Sequence, residues 1–145
     1  MTPPTLDLID VNVWVALSTA SHVHFNRAKT YLDTESASKV GFCRLTMLGM
    51  MRLIMNPTIM QSAAYTSSGA WQLYTDYLSQ SRVTFVQESV LIDDLLEDWQ
   101  LKGLIHSSTW TDAAIAALAI KSGARLVTFD KGFQKYPGLE VHVLY

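Results

Sequence analysis

Thr109-Trp110-Thr111-Asp112-Ala113-Ala114-Ile115-Ala116-Ala117-Leu118-Ala119, followed by Gly123-Ala124-Arg125-Leu126-Val127-Thr128-Phe129-Asp130-Lys131-Gly132-Phe133, decides how the chain folds. Its first half predicts a helix. Ala, Ile and Leu fill nearly every position, so the helix can be buried on both faces. Thr109 or Thr111 can cap the first turn, and Asp112 sits where the helix dipole favours an anion. Gly123 ends the helix. Leu126 to Phe129 is a short apolar run suited to a buried parallel strand, with Asp130 at its C-terminal end. One carboxylate therefore opens a buried helix and another leaves the strand that follows. In a parallel sheet both can lie on the ligand-binding edge.

The chain has 145 residues, 49% hydrophobic and 17% charged, which suits one domain spanning 1–145 with a substantial core. Its net charge of -2 gives no global positive field, so any nucleic-acid binding must use local patches. The single cysteine, Cys43, excludes a disulfide scaffold and a Cys-type zinc site. No basic-then-apolar leader pattern opens the chain, and no run reaches membrane-spanning length. A cytoplasmic protein is the expectation.

Upstream, Leu6-Asp7-Leu8-Ile9-Asp10 repeats the pattern of apolar residues running into Asp, and predicts a first strand over 6–10. A turn is expected at Asp10 to Asn12 and a helix from about Val13, which makes Asp10 a candidate helix cap as well. His22-Val23-His24-Phe25 falls where another helix begins, with Ser21 as a possible cap and a run to about Glu35. Two histidines two residues apart cannot share a helix face, so packing or capping is expected rather than zinc binding. Strands follow at 39–43 and 83–86, and helices at Leu45 to Met55, Gly69 to Leu78 and Val90 to Leu101. Asn56-Pro57 stops the first of these. Met47, Met50, Met51, Met55 and Met60 read as core filler or as an adaptable surface for a partner helix. Arg44 and Arg52 are cations that can hold phosphates. The last strands are expected over 125–129 and 140–144, separated by one turn at Lys131 to Lys135. This βα alternation with short connections predicts an α/β fold, with a mainly parallel five-stranded sheet and helices on both faces.

Asp10 and Asp130 each end a strand and Asp112 begins a helix. Carboxylates gathered this way repel unless a cation sits among them. Oxygen ligands suit Mg²⁺ or Mn²⁺, which polarise phosphate oxygens and activate water. Asn12 can orient a carboxylate, and Thr111 can hydrogen-bond near the metal.

Leu8-Ile9-Asp10-Val11-Asn12-Val13, Leu45-Thr46-Met47-Leu48-Gly49 with Arg52-Leu53, Thr111-Asp112-Ala113 and Thr128-Phe129-Asp130-Lys131-Gly132 together resemble the ordered motifs of PIN-domain ribonucleases. They are most similar to VapC toxins of bacterial toxin–antitoxin pairs, and the resemblance covers nearly the whole chain. It implies a three-layer α/β/α sandwich and a metal-dependent endoribonuclease acting on transfer RNA or ribosomal RNA loops. It also implies a VapB-type antitoxin and a homodimer or toxin–antitoxin hetero-oligomer. Asp10, Asp112 and Asp130 would be the catalytic and metal-binding acids, Asn12 and Thr111 their supports, and Arg44 and Arg52 the RNA-binding cations. Met47 is the departure, standing where many relatives carry Glu. The metal site would lack one anchor, unless Glu88, Asp93 or Asp94 reaches in. The resulting alternative is a PIN-like RNA- or protein-binding domain that has lost catalysis. A phosphate-handling enzyme of another doubly wound fold is a third reading. It would use Asp10 as nucleophile but lacks a second Asp nearby.

Overall fold

The computed structural model describes residues 4–145. Five strands, β1 (Leu6–Ile9), β2 (Lys39–Phe42), β3 (Val83–Phe85), β4 (Arg125–Thr128) and β5 (Val141–Val143), form one sheet in the order β3-β2-β1-β4-β5. Every pairing is parallel. The sheet was therefore expected to be mainly parallel and is wholly so. Successive residues alternate between its faces. Ile9, Val40, Phe42 and Val127 enter one core with Trp14, Tyr31, Met50, Ile54 and Tyr74. Leu8 and Leu126 enter the other with Trp99, Ile115, Leu118 and Phe133.

The first core is covered by α1 (Val11–Leu17), α2 (Phe25–Thr30), α3 (Arg44–Ile54), α4 (Pro57–Met60) and α5 (Ser67–Ser79); α6 (Asp93–Leu101) and α7 (Trp110–Lys121) cover the second. This is the three-layer sandwich. In α7, Ala113 and Ile115 to Ala119 are all buried, as its small apolar composition requires. Gly123 ends it at φ 66, in the left-handed region that glycine enters without strain.

Several boundaries differ from the sequence reading. Helix α1 starts at Val11 rather than near Val13, because the Asp10 carboxylate accepts the Val11 N–H and needs no intervening turn. Ser21 caps nothing; its hydroxyl pairs with Thr19, and α2 begins at Phe25 before widening into a π turn over Tyr31–Glu35. Asn56 stops α3 but also caps α4 by accepting the Thr58 N–H. Helix α5 begins at Ser67 rather than Gly69, capped by the Thr66 side chain, which accepts the Gly69 N–H. The segment from Val90 first makes a 3-10 turn, held by Ser89, and becomes α6 only at Asp93. Thr109 does precede α7, yet its hydroxyl is turned back to the N–H of His106 instead of to the helix, and Thr111 lies within the first turn.

At the N-terminal edge of the sheet, Asp7 is fully buried opposite Arg125, its register partner on β4. The Arg125 guanidinium donates to both carboxylate oxygens, at 2.9 and 3.0 Å. Tyr31 Oη and the Ala37 N–H complete the shell at 2.5 and 2.9 Å.

Candidate active site

Strand order reverses at β1: the chain runs outward through β2 and β3 on one side, and through β4 and β5 on the other. Loops leaving β1 and β4 therefore diverge at their C-terminal ends, and such a switch point opens a crevice. Ile9 is level with Val127 in the register, so Asp10 emerges level with Thr128. Asp10, Asn12, Thr111, Asp112 and Asp130 all line one open groove of about 390 Å³, with Arg52 on its α3 wall. Leu45, Gly49 and Leu53 of α3 and Ser108 before α7 complete most of that wall.

Each acid is held differently. Asp10 is 6% exposed. One of its oxygens caps α1 through Val11 at 2.7 Å, and the other accepts the Thr128 hydroxyl at 2.7 Å. The Thr128 oxygen in turn accepts the Asp130 N–H at 2.9 Å, tying two of the acids together. Asp130 is exposed, with one carboxylate oxygen accepting the Gly132 N–H at 2.8 Å. Asn12 fixes the intervening residue by accepting the Phe129 N–H. Asp112 is half-buried in the first turn of α7. Burial pushes Asp10 from an ordinary 3.8 up to about 6, against the pull of Thr128 and Val11, and the charges of Asp112 and Asp130 push the same way. Asp112 is also raised, by burial and then by Asp130, with Lys135 opposing. Among the described residues none of the three acids is ion-paired.

This donor set fits a hard divalent cation: oxygens only, mutual repulsion, and, among the described residues, no ion-paired counter-charge. Among the described residues no three His, Cys, Asp or Glu side chains come close enough to cage an ion unaided. An open groove of this kind suits Mg²⁺ or Mn²⁺, which keep part of their water shell.

Other expectations change. Met47 does not face the acids. It is buried in the first core with Met50 and Ile54, on the side of α3 that meets the sheet. The residues of α3 that face the groove nearest in sequence are Leu45 and Gly49, two positions to either side. Arg44 also lies away from the groove: its guanidinium stacks on Phe85 at 4.6 Å and reaches the Met47 sulfur at 3.6 Å. Glu88, Asp93 and Asp94 do not line the groove either; Asp94 pairs with Lys121 at 3.1 Å. Met47 and Met50 are core filler, while Met55 is partly exposed.

Two residues gained no role from the sequence. Thr128 needed the β1–β4 register to be placed beside Asp10. Tyr136 is buried, and shares a small cavity of about 60 Å³ with Thr109, Asp112 and Asp130. Burial and then the Asp112 charge push its phenol upward. Its only sequence signal was an aromatic residue six positions after the terminal Asp of a strand.

Comparison with known proteins agrees with this geometry. The PIN domain family model matches residues 8–139. Ribonuclease VapC41 of Mycobacterium tuberculosis is 34% identical over 144 residues, covering 94% of this chain and 97% of that one. Ribonuclease VapC38 of the same organism is 30% identical over 125 residues, covering 86% and 85%. Among solved structures, VapBC2 from Rickettsia felis bound to a promoter DNA fragment superimposes with a TM-score of 0.67 at 17% identity, covering 97% of this chain and 99% of that chain. Mycobacterium tuberculosis VapC20, a sarcin-ricin loop cleaving toxin, gives 0.66 at 14% identity, covering 92% and 98%. With a family model spanning the β1 acid to the far side of the β4 acid, and VapC ribonucleases aligned along nearly its whole length, the chain belongs to the PIN-domain family.

Proposed function

We propose that the chain is a divalent-metal-dependent endoribonuclease toxin of the VapC kind, cutting phosphodiester bonds in RNA such as transfer RNA or ribosomal RNA loops. The observation that carries this is the acidic groove at the strand-order switch, where three carboxylates lack any paired side-chain cation among the described residues. The ribonuclease names of the aligned relatives support the same reading.

Asp10, Asp112 and Asp130 would hold Mg²⁺ or Mn²⁺. Bound there, the ion supplies Lewis acidity to a phosphate oxygen and lowers the pKa of water. The protein's own contribution is positional. Thr128 and the Val11 N–H fix both Asp10 oxygens. Asn12 fixes the backbone that carries Asp130. Arg52 offers a guanidinium on the opposite wall, where a planar donor fork matches phosphate. Thr111 lines the same wall as Asp112.

A VapB-type antitoxin is the proposed partner, with an Arg that neutralises the acids while its chain covers the groove. The Rickettsia relative was solved as a VapBC assembly. Among the described residues no helix is long and apolar enough to cross a membrane. The reading of a domain that has lost catalysis rested on Met47; the groove retains its three acids without that residue.

The test is cleavage of RNA with and without Mn²⁺, comparing wild type with Asp112→Ala. Metal-dependent cutting by wild type alone is expected. Full-rate cutting by the variant would overturn the assignment of the groove.

A further inference from the structure

The groove is acidic, and the chain carries a net charge of -2, so phosphate approaching the acids meets repulsion. Something beside the groove has to hold RNA there. The surface around Asp130 offers such a feature. Register pairs Thr128 with Val143, and the Leu144 N–H donates to the Thr128 carbonyl at 2.8 Å. The chain beyond β5 therefore runs alongside Phe129 and Asp130. Tyr145, 77% exposed, lies with its ring centroid 5.0 Å from the Lys131 ammonium. Arg27 donates to the Tyr145 main-chain oxygen at 3.1 Å, fixing that end of the strip. The exposed His24 ring lies over Phe129, centroids 4.9 Å apart and planes tilted by 31°. His22 Nδ1 accepts the His24 N–H at 3.0 Å and holds the bend that presents this ring. Phe129 is itself tied to the groove residue Asn12. Aromatic faces and a cation thus lie at Phe129 and Lys131, the two residues that bracket the outermost acid in sequence.

We propose that this strip, His24 over Phe129 and Tyr145 beside Lys131, is a track that docks unpaired nucleotides next to the cleavage point. The RNA loops of the proposed function supply such nucleotides. Aromatic stacking needs bases that can be splayed out of a helix, whereas a duplex hides its base faces. Lys131 meets the phosphate adjoining the stacked base. The proposal rests on the nuclease reading of the groove and adds how that groove chooses its RNA.

The experiment uses the full chain carrying Asp112→Ala, so that RNA stays intact, and a labelled unstructured oligoribonucleotide read by fluorescence anisotropy. Adding His24→Ala is expected to weaken binding about tenfold, within the range of one lost stacking contact. His24→Trp should retain affinity, because stacking rather than imidazole chemistry is required. Replacing bases one at a time with abasic sites should reveal one position where the His24→Ala penalty disappears. A perfect duplex of the same sequence should bind weakly to every variant. Unchanged affinity in His24→Ala, a penalty equal for duplex and single strand, or a penalty indifferent to every abasic site would each overturn the track. Thermal melting of His24→Ala checks that the exposed substitution leaves the fold intact. Cleavage by wild type separates the two readings. If wild type cuts RNA with Mn²⁺ and His24→Ala binds normally, only the track fails. If wild type cuts no RNA, the nuclease reading fails.

Discussion

Above about pH 6 the Asp10 carboxylate is charged in a site almost closed to solvent. Its folded value lies above its unfolded one, so the folded protein holds this proton more tightly. Stability from this group is therefore greatest at low pH and falls as pH rises from about 4 through 6. A shift of this size corresponds to about 3 kcal/mol, as an upper bound. Urea denaturation of metal-free protein should show stability falling between pH 4.5 and 7, with a clearly shallower slope in Asp10→Asn. Parallel pH profiles would show that Asp10 is not the group responsible. Mn²⁺ should restore stability at pH 7 in wild type only, since binding to the folded state alone is stabilising. Met47 gives the opposite kind of prediction. Met47→Glu puts a carboxylate into the first core, within reach of the Arg44 guanidinium rather than beside a metal. It should lower stability, because desolvating a charge costs even where a partner is near, and leave Mn²⁺ affinity unimproved in calorimetry. Asp10 was legible because an apolar strand running into Asp is a local pattern. Met47 was legible as core filler, but not its distance from the acids, because the side of α3 that turns to the groove is set by what the helix packs against. Positions 47 and 49 lie on nearly opposite sides of a helix, and glycine at 49 has no side chain to mark the face that matters.

That glycine governs how α1 and α3 meet. A Cβ built at Gly49 would lie 2.6 Å from Val11 Cγ2 and 3.2 Å from Cγ1. Valine has little rotamer freedom in a helix, so the helices themselves must move apart. Gly49→Ala should cost about 1–3 kcal/mol by overpacking. The strain should also reach the acids, because the Val11 N–H is one of the two donors fixing Asp10. We expect slower cleavage as well as a lower melting temperature. Pairing Gly49→Ala with Val11→Ala should recover much of the stability, giving a coupling energy that a double-mutant cycle measures. Strict additivity would place the two side chains out of contact. At this scale the five strands and the long helices were readable from periodicity and punctuation. Caps were less so: Asp10 was expected as a cap and is one, but Ser21 caps no helix and Thr109 turns away from the one it precedes, because which side chain reaches which N–H depends on the path of the chain before the helix.

Across the whole molecule, the acids at one end of β1 and β4 are matched by the Asp7–Arg125 pair at the other. Asp7 is wholly buried and accepts from Arg125, Tyr31 and Ala37. Arg125→Ala would leave that carboxylate without its counter-charge, at a cost of about 3–5 kcal/mol. The loss should appear in urea denaturation at pH 7. The variant that remains folded at low temperature should still bind Mn²⁺, since the pair sits at the far edge of the sheet from the groove. Metal binding lost in well-folded Arg125→Ala would mean that the two ends are coupled. Nothing in the sequence announced this pair. Asp7 looked like a polar residue on a strand, and Arg125 like the first residue of another; only a parallel register across a sequence separation of 118 makes them neighbours.

The same long register has a consequence for synthesis. Asp10 is made early, yet its carboxylate is fixed by a hydroxyl 118 residues later, and Asp130 comes later still. Contacts that distant form late, because the loop between them must be closed first. A nascent chain on the ribosome can build β1, β2 and β3 with their helices and still have no groove. Assembly of the cutting edge waits for the final strands to thread in on the other side of β1. A half-made copy thus lacks the acidic groove, which is completed only once most of the chain has emerged.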